Sequence, residues 1–118
     1  MANNRIVFLI IGLLLLSGCG ATTQYKWGNY EKNMFDYYHQ PSRKDKVISD
    51  HLNMVANPPI NGQKLAPGMF AEAGTFYLEQ GDLAKAIEMY QLERAAWPES
   101  TKLMDALIEN LQKKVGSK

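Results

Sequence analysis

The chain predicts an all-α fold of about five helices, arranged as antiparallel hairpins. Three observations predict it. Apolar residues recur three and four positions apart from residue 27 to residue 111. Prolines, glycines and capping residues cut that pattern into segments of helical length. No stretch alternates apolar and polar residues with a period of two, the pattern a half-buried strand requires.

The first helix is expected over Trp27 to His39, where Trp27, Tyr30, Met34, Tyr37 and Tyr38 share helical spacings. Pro41 stops it, because the residue before a proline avoids the helical region. Ser42 then reads as an N-cap, with Asp45 three residues on as the acidic partner of a capping box. The second helix carries Val47, Ile48, Leu52 and Val55 on one face, and Asn57-Pro58-Pro59 ends it. A loop runs from Pro58 to Ala66, with Asn61-Gly62 as its turn. The third helix resumes at Pro67, a residue tolerated in a first helical turn. It aligns Phe70, Ala73, Gly74, Tyr77 and Leu78. Gly81 suits a left-handed C-terminal position and Asp82 an N-cap, so the chain turns there. Leu83, Ala86, Ile87, Tyr90 and Ala96 face inward on the fourth helix, which Pro98 closes. Ser100 is the expected cap of a fifth, carrying Leu103, Met104, Leu107, Ile108 and Leu111. Lys113 and Lys114 fall in its last turn, where cations favour the helix dipole.

The N-terminus carries an address. Arg5 precedes an apolar run from Ile6 to Leu16, broken only by Gly12, and then comes Ser17-Gly18-Cys19. The run is shorter than the ~20 residues that span a bilayer. Charge, apolar stretch and small residues are the three parts of a secretory signal. The stretch Leu16-Ser17-Gly18-Cys19 resembles the bacterial lipobox. That resemblance implies removal of residues 1–18, a diacylglycerol on Cys19, and an N-acyl chain on its new amine. An ordinary signal peptide, or an uncleaved anchor with a buried Cys, is the other reading. Gly20, where an Asp tends to retain lipoproteins in the inner membrane of diderm bacteria, favours the outer membrane and its periplasmic face. Residues 19–26 then form a lipidated tether, and 27–118 a helical domain.

Composition narrows the function. Arg5 is the only charged residue before Cys19, so the mature chain balances twelve cations against twelve carboxylates. A neutral domain carries no electrostatic argument for nucleic acid. Its size allows one domain with a modest core. The chain's one cysteine is Cys19, so no disulfide can help that core.

From Phe70 onward the chain reads Phe70-x2-Ala73-Gly74-x2-Tyr77, then Ala86-x3-Tyr90, then Pro98. This resembles the tetratricopeptide repeat, in which small residues let two antiparallel helices approach and aromatics fill the space around the contact. Ala73 replaces the usual Leu, and Glu93 stands where a small residue is usual. The pair of helices before Pro58 is a poor copy of the repeat. The last helix would cap the array.

The mature chain also resembles a family of small proteobacterial outer-membrane lipoproteins with a domain of unknown function. Three features carry this: Tyr25-x-Trp27-Gly28-x-Tyr30; Phe35-x-Tyr37-Tyr38 before Pro41; and the run from Gly81-Asp82-Leu83 through Ala86, Tyr90 and Glu93 to Trp97-Pro98-Glu99-Ser100. The resemblance implies genes placed beside others for lipoproteins, one of them similar to the curli secretion channel. It therefore implies a multi-lipoprotein assembly.

Catalytic patterns are lacking. There is no Gly-x-Ser-x-Gly, no His-Glu-x-x-His and no phosphate-cradling glycine loop. His39 and His51 are too far apart for a one-turn metal pair and read as structural or surface residues. Arg43, Lys44 and Lys46 form a small basic cluster, either a solvated helix start or a contact for lipid headgroups. The early aromatics read either as core or as a surface for a partner or the membrane interface. No cofactor is expected beyond the covalent lipid on Cys19, and no metal, nucleic acid or small-molecule substrate. The expectation is a non-enzymatic scaffold or assembly factor whose partners are other envelope lipoproteins. Its candidate contacts are Ala71, Glu72, Thr75 and Glu79, the outward positions of the third helix. Alternatives are a pilotin-like escort for an outer-membrane channel, or a regulator of a peptidoglycan enzyme.

Overall fold

The computed structural model describes residues 24–58, 60 and 62–117. The leader 1–18, Cys19 and the start of the tether lie outside the described residues, as do Pro59 and Asn61 of the expected loop. The helices are α1 (Tyr30–His39), α2 (Lys44–Ala56), α3 (Met69–Glu79), α4 (Leu83–Ala96) and α5 (Thr101–Gly116). The fold is all-α, as expected, with five α-helices among the described residues.

One short pairing departs from a sheet-free reading. β1 (Tyr25–Lys26) lies parallel to β2 (Lys64–Leu65), with Tyr25 opposite Lys64 and Lys26 opposite Leu65. A two-residue strand has no alternation to read, because tertiary contact alone specifies it. The pairing draws Tyr25 and Lys26 out of the expected tether and into the folded unit. The Tyr25 ring meets the buried Trp97 edge-on at 5.3 Å.

Helix starts also shift. The first helix begins at Tyr30 rather than Trp27, and the third at Met69 rather than Pro67. Ser42 and Ser100 make no capping bond, because each sits in a one-turn 3-10 segment, Pro41–Arg43 and Pro98–Ser100, that a proline opens. The fixed φ of that proline suits such a turn. Ser100 instead turns its hydroxyl to Glu93 Oε1 at 3.3 Å. The turn between α3 and α4 follows expectation. Gly81 has φ of 81°, open to a residue without a Cβ. Asp82 accepts a bond from the Lys85 amide at 3.1 Å.

Successive helices form antiparallel hairpins. In α1–α2, Arg43 meets Asp36 near the turn, while Tyr30 lies over His51 further away. In α3–α4, the Gly68 amide meets Glu93, so the start of one helix lies at the end of the other. Halfway along, Gly74 lies under the Tyr90 ring. A Cβ on Gly74 would fall 2.6 Å from that ring, so the close approach requires glycine. Ala86, fully buried, has the small-residue role expected of it. In α4–α5, Arg94 pairs with Asp105. One apolar cluster holds Val55, Leu65, Ala66, Met69 and Ala73. A second holds Ala86, Tyr90, Met104, Ile108 and Leu111.

The structure resolves three readings of the core. The early aromatics divide: Trp27, just before α1, and Phe35 and Tyr38 on it are 44%, 58% and 74% exposed, while Tyr30 packs on the first apolar cluster and Tyr37 on Phe76. Among the described residues α1 packs chiefly on α2 and, through Tyr37 and Phe76, on α3. The buried residue of α1 is Asp36, held by Lys32 at 3.1 Å and Arg43 at 3.0 Å. Leu103 was expected to face inward but is 62% exposed, since Met104, Ile108 and Leu111 take the inner face of α5. Glu93, out of place in a repeat, is buried and useful. Its Oε1 accepts the Gly68 amide at 2.8 Å and the Ser100 hydroxyl, joining three segments.

Candidate functional site

Alternate helices α1, α3 and α5 line one open groove of about 310 Å³. Positions 71, 75 and 79 recur every four residues along α3, and 72 lies beside them, so the four share a face. Ala71, Glu72, Thr75 and Glu79 all reach the groove. The sequence-derived set is thus brought together. Around it stand Tyr37 and Tyr38 from α1, whose aromatics the sequence left open as core or partner surface, and Leu103 and Leu107 from α5, which the sequence placed on an inward face.

Each polar group there has a defined role. The Thr75 hydroxyl donates to the Ala71 carbonyl at 3.1 Å. Its oxygen is then free to accept from the Tyr90 hydroxyl, 3.3 Å away. Glu79 accepts from the Tyr37 hydroxyl at 3.3 Å and pairs with Lys44 at 3.5 Å. Lys44 also lies over the Tyr37 ring, 4.6 Å from its centre. The Tyr37 hydroxyl, followed by the Glu79 carboxylate, raises the Lys44 ammonium above its ordinary value. Glu79 is therefore a clasp between the first hairpin and α3 as well as a groove residue. Burial, and then the Glu72 carboxylate beside it, push the Tyr30 phenol up to about 12.

The groove leans acidic, with two carboxylates and one cation at its α1 end. Its rims are apolar: Tyr38 and Leu103 present large exposed side chains from opposite ends of the helix order. Such a surface can take up an apolar side chain and offer a carboxylate to a neighbouring cation or amide.

The remaining polar features have structural partners. His51 is buried, and its Nε2 lies 2.9 Å from the Met69 carbonyl, which fixes the proton on that nitrogen. His39 stacks on Phe35 at 4.3 Å and bonds the Phe35 carbonyl through Nδ1. The basic cluster is spoken for: Arg43 by Asp36, Lys44 by Glu79, Lys46 by Asp50. That favours a solvated helix start over a headgroup site. Among the described residues, no group of three His, Cys, Asp or Glu is placed to hold a metal. No described helix is long and apolar enough to cross a membrane.

Phe76 was missed. It is buried, packs on Tyr37 at 5.6 Å and meets His51 edge-on at 5.3 Å, so it seats α1 and α2 against α3. The signal was present, since Met69, Ala73 and Phe76 follow the four-then-three spacing of a buried helix face.

Residues 24–107 match the family described as Domain of unknown function (DUF4810). No curated protein and no solved structure matches the chain.

Proposed function

Since the chain belongs to this domain family, we propose that it is a lipid-anchored binding module of the cell envelope. In this reading Cys19 carries the lipid and holds the protein at the periplasmic face of the outer membrane. The hairpins act as a tetratricopeptide-like unit that offers the α1–α3–α5 groove to a protein partner. It works as a scaffold or assembly factor and performs no chemistry of its own. A neighbouring envelope lipoprotein, similar to the curli secretion channel, is the first partner to test.

The observation that carries the reading is the groove itself. Stacked helix pairs place alternate helices on one concave side, the side repeat proteins use for binding. Here α1, α3 and α5 occupy that side, and large apolar side chains stand exposed where the core does not need them. The short signal-like run ahead of Cys19 supports the anchor.

Two experiments test the reading. Leu103→Glu combined with Tyr38→Ala is expected to lower co-purification with the partner lipoprotein at least tenfold, with helicity and melting temperature unchanged. Unchanged co-purification would remove the groove from the account. Glu79 is a poor probe, because reversing it also breaks the clasp to α1. For the anchor, Cys19→Ala is expected to leave the protein unprocessed and free of lipid. A processed, membrane-bound Cys19→Ala form would refute it.

A further inference from the structure

A second concavity lies on the other side of the stack, between α2, α3 and α4. It has a volume of about 430 Å³, within the range of ~300–1,000 Å³ typical of small-molecule pockets. Leu52, Val55, Phe70, Tyr77, Met89 and Leu92 supply its walls, and Glu88 stands among them as the charged group. Among the described residues nothing fills it, and the proposed partner groove uses other helix faces.

Its position relative to the chain's start gives it a candidate occupant. Phe70 and Pro58 also line a smaller cavity of about 270 Å³, together with Leu65 and Trp97. β1 docks on that boundary: Tyr25 pairs opposite Lys64, touches Trp97, and packs on the same apolar cluster as Phe70 and Met89. Cys19 lies five residues before Gln24. At ~3.3–3.6 Å per residue, those five reach about 17 Å. The point of lipidation is therefore tethered to the strand beside the smaller cavity, which shares Pro58 and Phe70 with the cleft.

We infer that the α2–α3–α4 cleft shelters one acyl chain of the lipid on Cys19 when the protein is outside a bilayer. The inference rests on the lipoprotein reading given above. Its physical cause is that an acyl chain in water gains free energy from any apolar cover within reach. The cleft supplies a lined cavity, and the docked β1 strand keeps the chain's root nearby. Transfer into a membrane, which offers more cover, empties the cleft. The partner groove is left accessible in both states, because it uses other helix faces.

The test has two arms. In the first, the mature chain made without lipid as Cys19→Ser is titrated with the fluorescent polyene fatty acid parinaric acid. One probe is expected per chain, and Leu92→Glu, a change at a residue 40% exposed, is expected to weaken uptake at least tenfold while the fold is retained. Absence of uptake, or uptake indifferent to Leu92→Glu, would overturn the cleft assignment. In the second, lipoprotein labelled in cells with a diazirine fatty acid is purified, freed of detergent and irradiated. Adducts on its own peptides 44–56, 69–79 and 83–96 are expected. Adducts confined to other chains or other helices would overturn the choice of occupant. The intact mass of that preparation reports the lipid on Cys19 separately, so failure of the anchor reading is seen apart from failure of the cleft.

Discussion

In the α3–α4 hairpin the contact point is Gly74 beneath the Tyr90 ring, an approach so close that a single added carbon would lie 2.6 Å from the ring. In the α1–α2 hairpin the buried residue near the turn is Asp36, a carboxylate held by Lys32 and Arg43. One hairpin is joined by shape and the other in large part by charge. The first kind of contact is intolerant of volume and indifferent to salt. The second tolerates volume but responds to charge and ionic strength. The difference also explains the surfaces: the shape-packed pair buries its aromatic Tyr90, while the charge-joined pair leaves Trp27, Phe35 and Tyr38 exposed.

The contrast can be broken most forcefully at Gly74. Gly74→Val is expected to destabilise the domain by about 3 kcal/mol in urea unfolding, the upper part of the usual range for overpacking. Gly74→Ala should cost less, since alanine recovers up to about 1 kcal/mol of helix propensity. An unchanged midpoint for the valine variant would mean that the helices do not meet this closely.

Glu93 lies next in order. Glu93→Leu strands the Gly68 amide and removes the Ser100 contact, at a cost of about 2 kcal/mol in melting experiments. Glu93→Gln keeps an acceptor and should cost less than half of that. Equal losses from both would show that charge matters there more than the hydrogen bond.

Asp36→Ala is expected to cost about 1 kcal/mol, and the loss should shrink in high salt. Its partners Lys32 and Arg43 are 65% and 40% exposed, so water screens them and they do not become buried unpaired charges. A salt-independent loss would argue that Asp36 acts by packing. Trp27→Ala and Phe35→Ala, by contrast, should stay within about 0.5 kcal/mol of the parent.

A separate effect is expected at high pH. The Tyr30 phenol is raised in the folded state to about 12 from the ordinary 10, by burial and by Glu72. A group raised on folding contributes stability that is present below its unfolded value and lost as pH climbs through its folded value. Stability should thus fall between pH 10 and 12, and Tyr30→Phe should show a shallower fall.

The sequence made the second hairpin more legible than the first, and the reason is physical. Gly74, Tyr77, Ala86 and Tyr90 leave a spacing because close packing demands small and large residues at fixed positions. Asp36 leaves no such trace, since a carboxylate inside an amphipathic stretch reads as an exposed one until its cations are seen. Glu93 stood out as a departure from the repeat, but its burial and its two hydrogen-bond donors left no trace in the spacing. The groove was half legible: helical spacing gathered Ala71, Glu72, Thr75 and Glu79 on one face. The residues opposite them, Tyr38 and Leu103, belong to helices whose placement depends on tertiary packing. Leu103 was drawn toward the core because spacing alone does not distinguish two adjacent faces of α5. The short β1–β2 pairing was invisible because it is made by position in space, not by pattern.

The central claim is that the α1–α3–α5 side is where a partner sits. Its most direct test is a photoreactive amino acid placed in turn at Tyr38, Leu103 and Glu109 and irradiated in intact cells. Glu109 lies on the exposed outer side of α5, paired with Lys113, and serves as the contrast. The account predicts a discrete heavier adduct from Tyr38 and Leu103 and none from Glu109. An adduct from Glu109 alone, or equal adducts from all three, would contradict it.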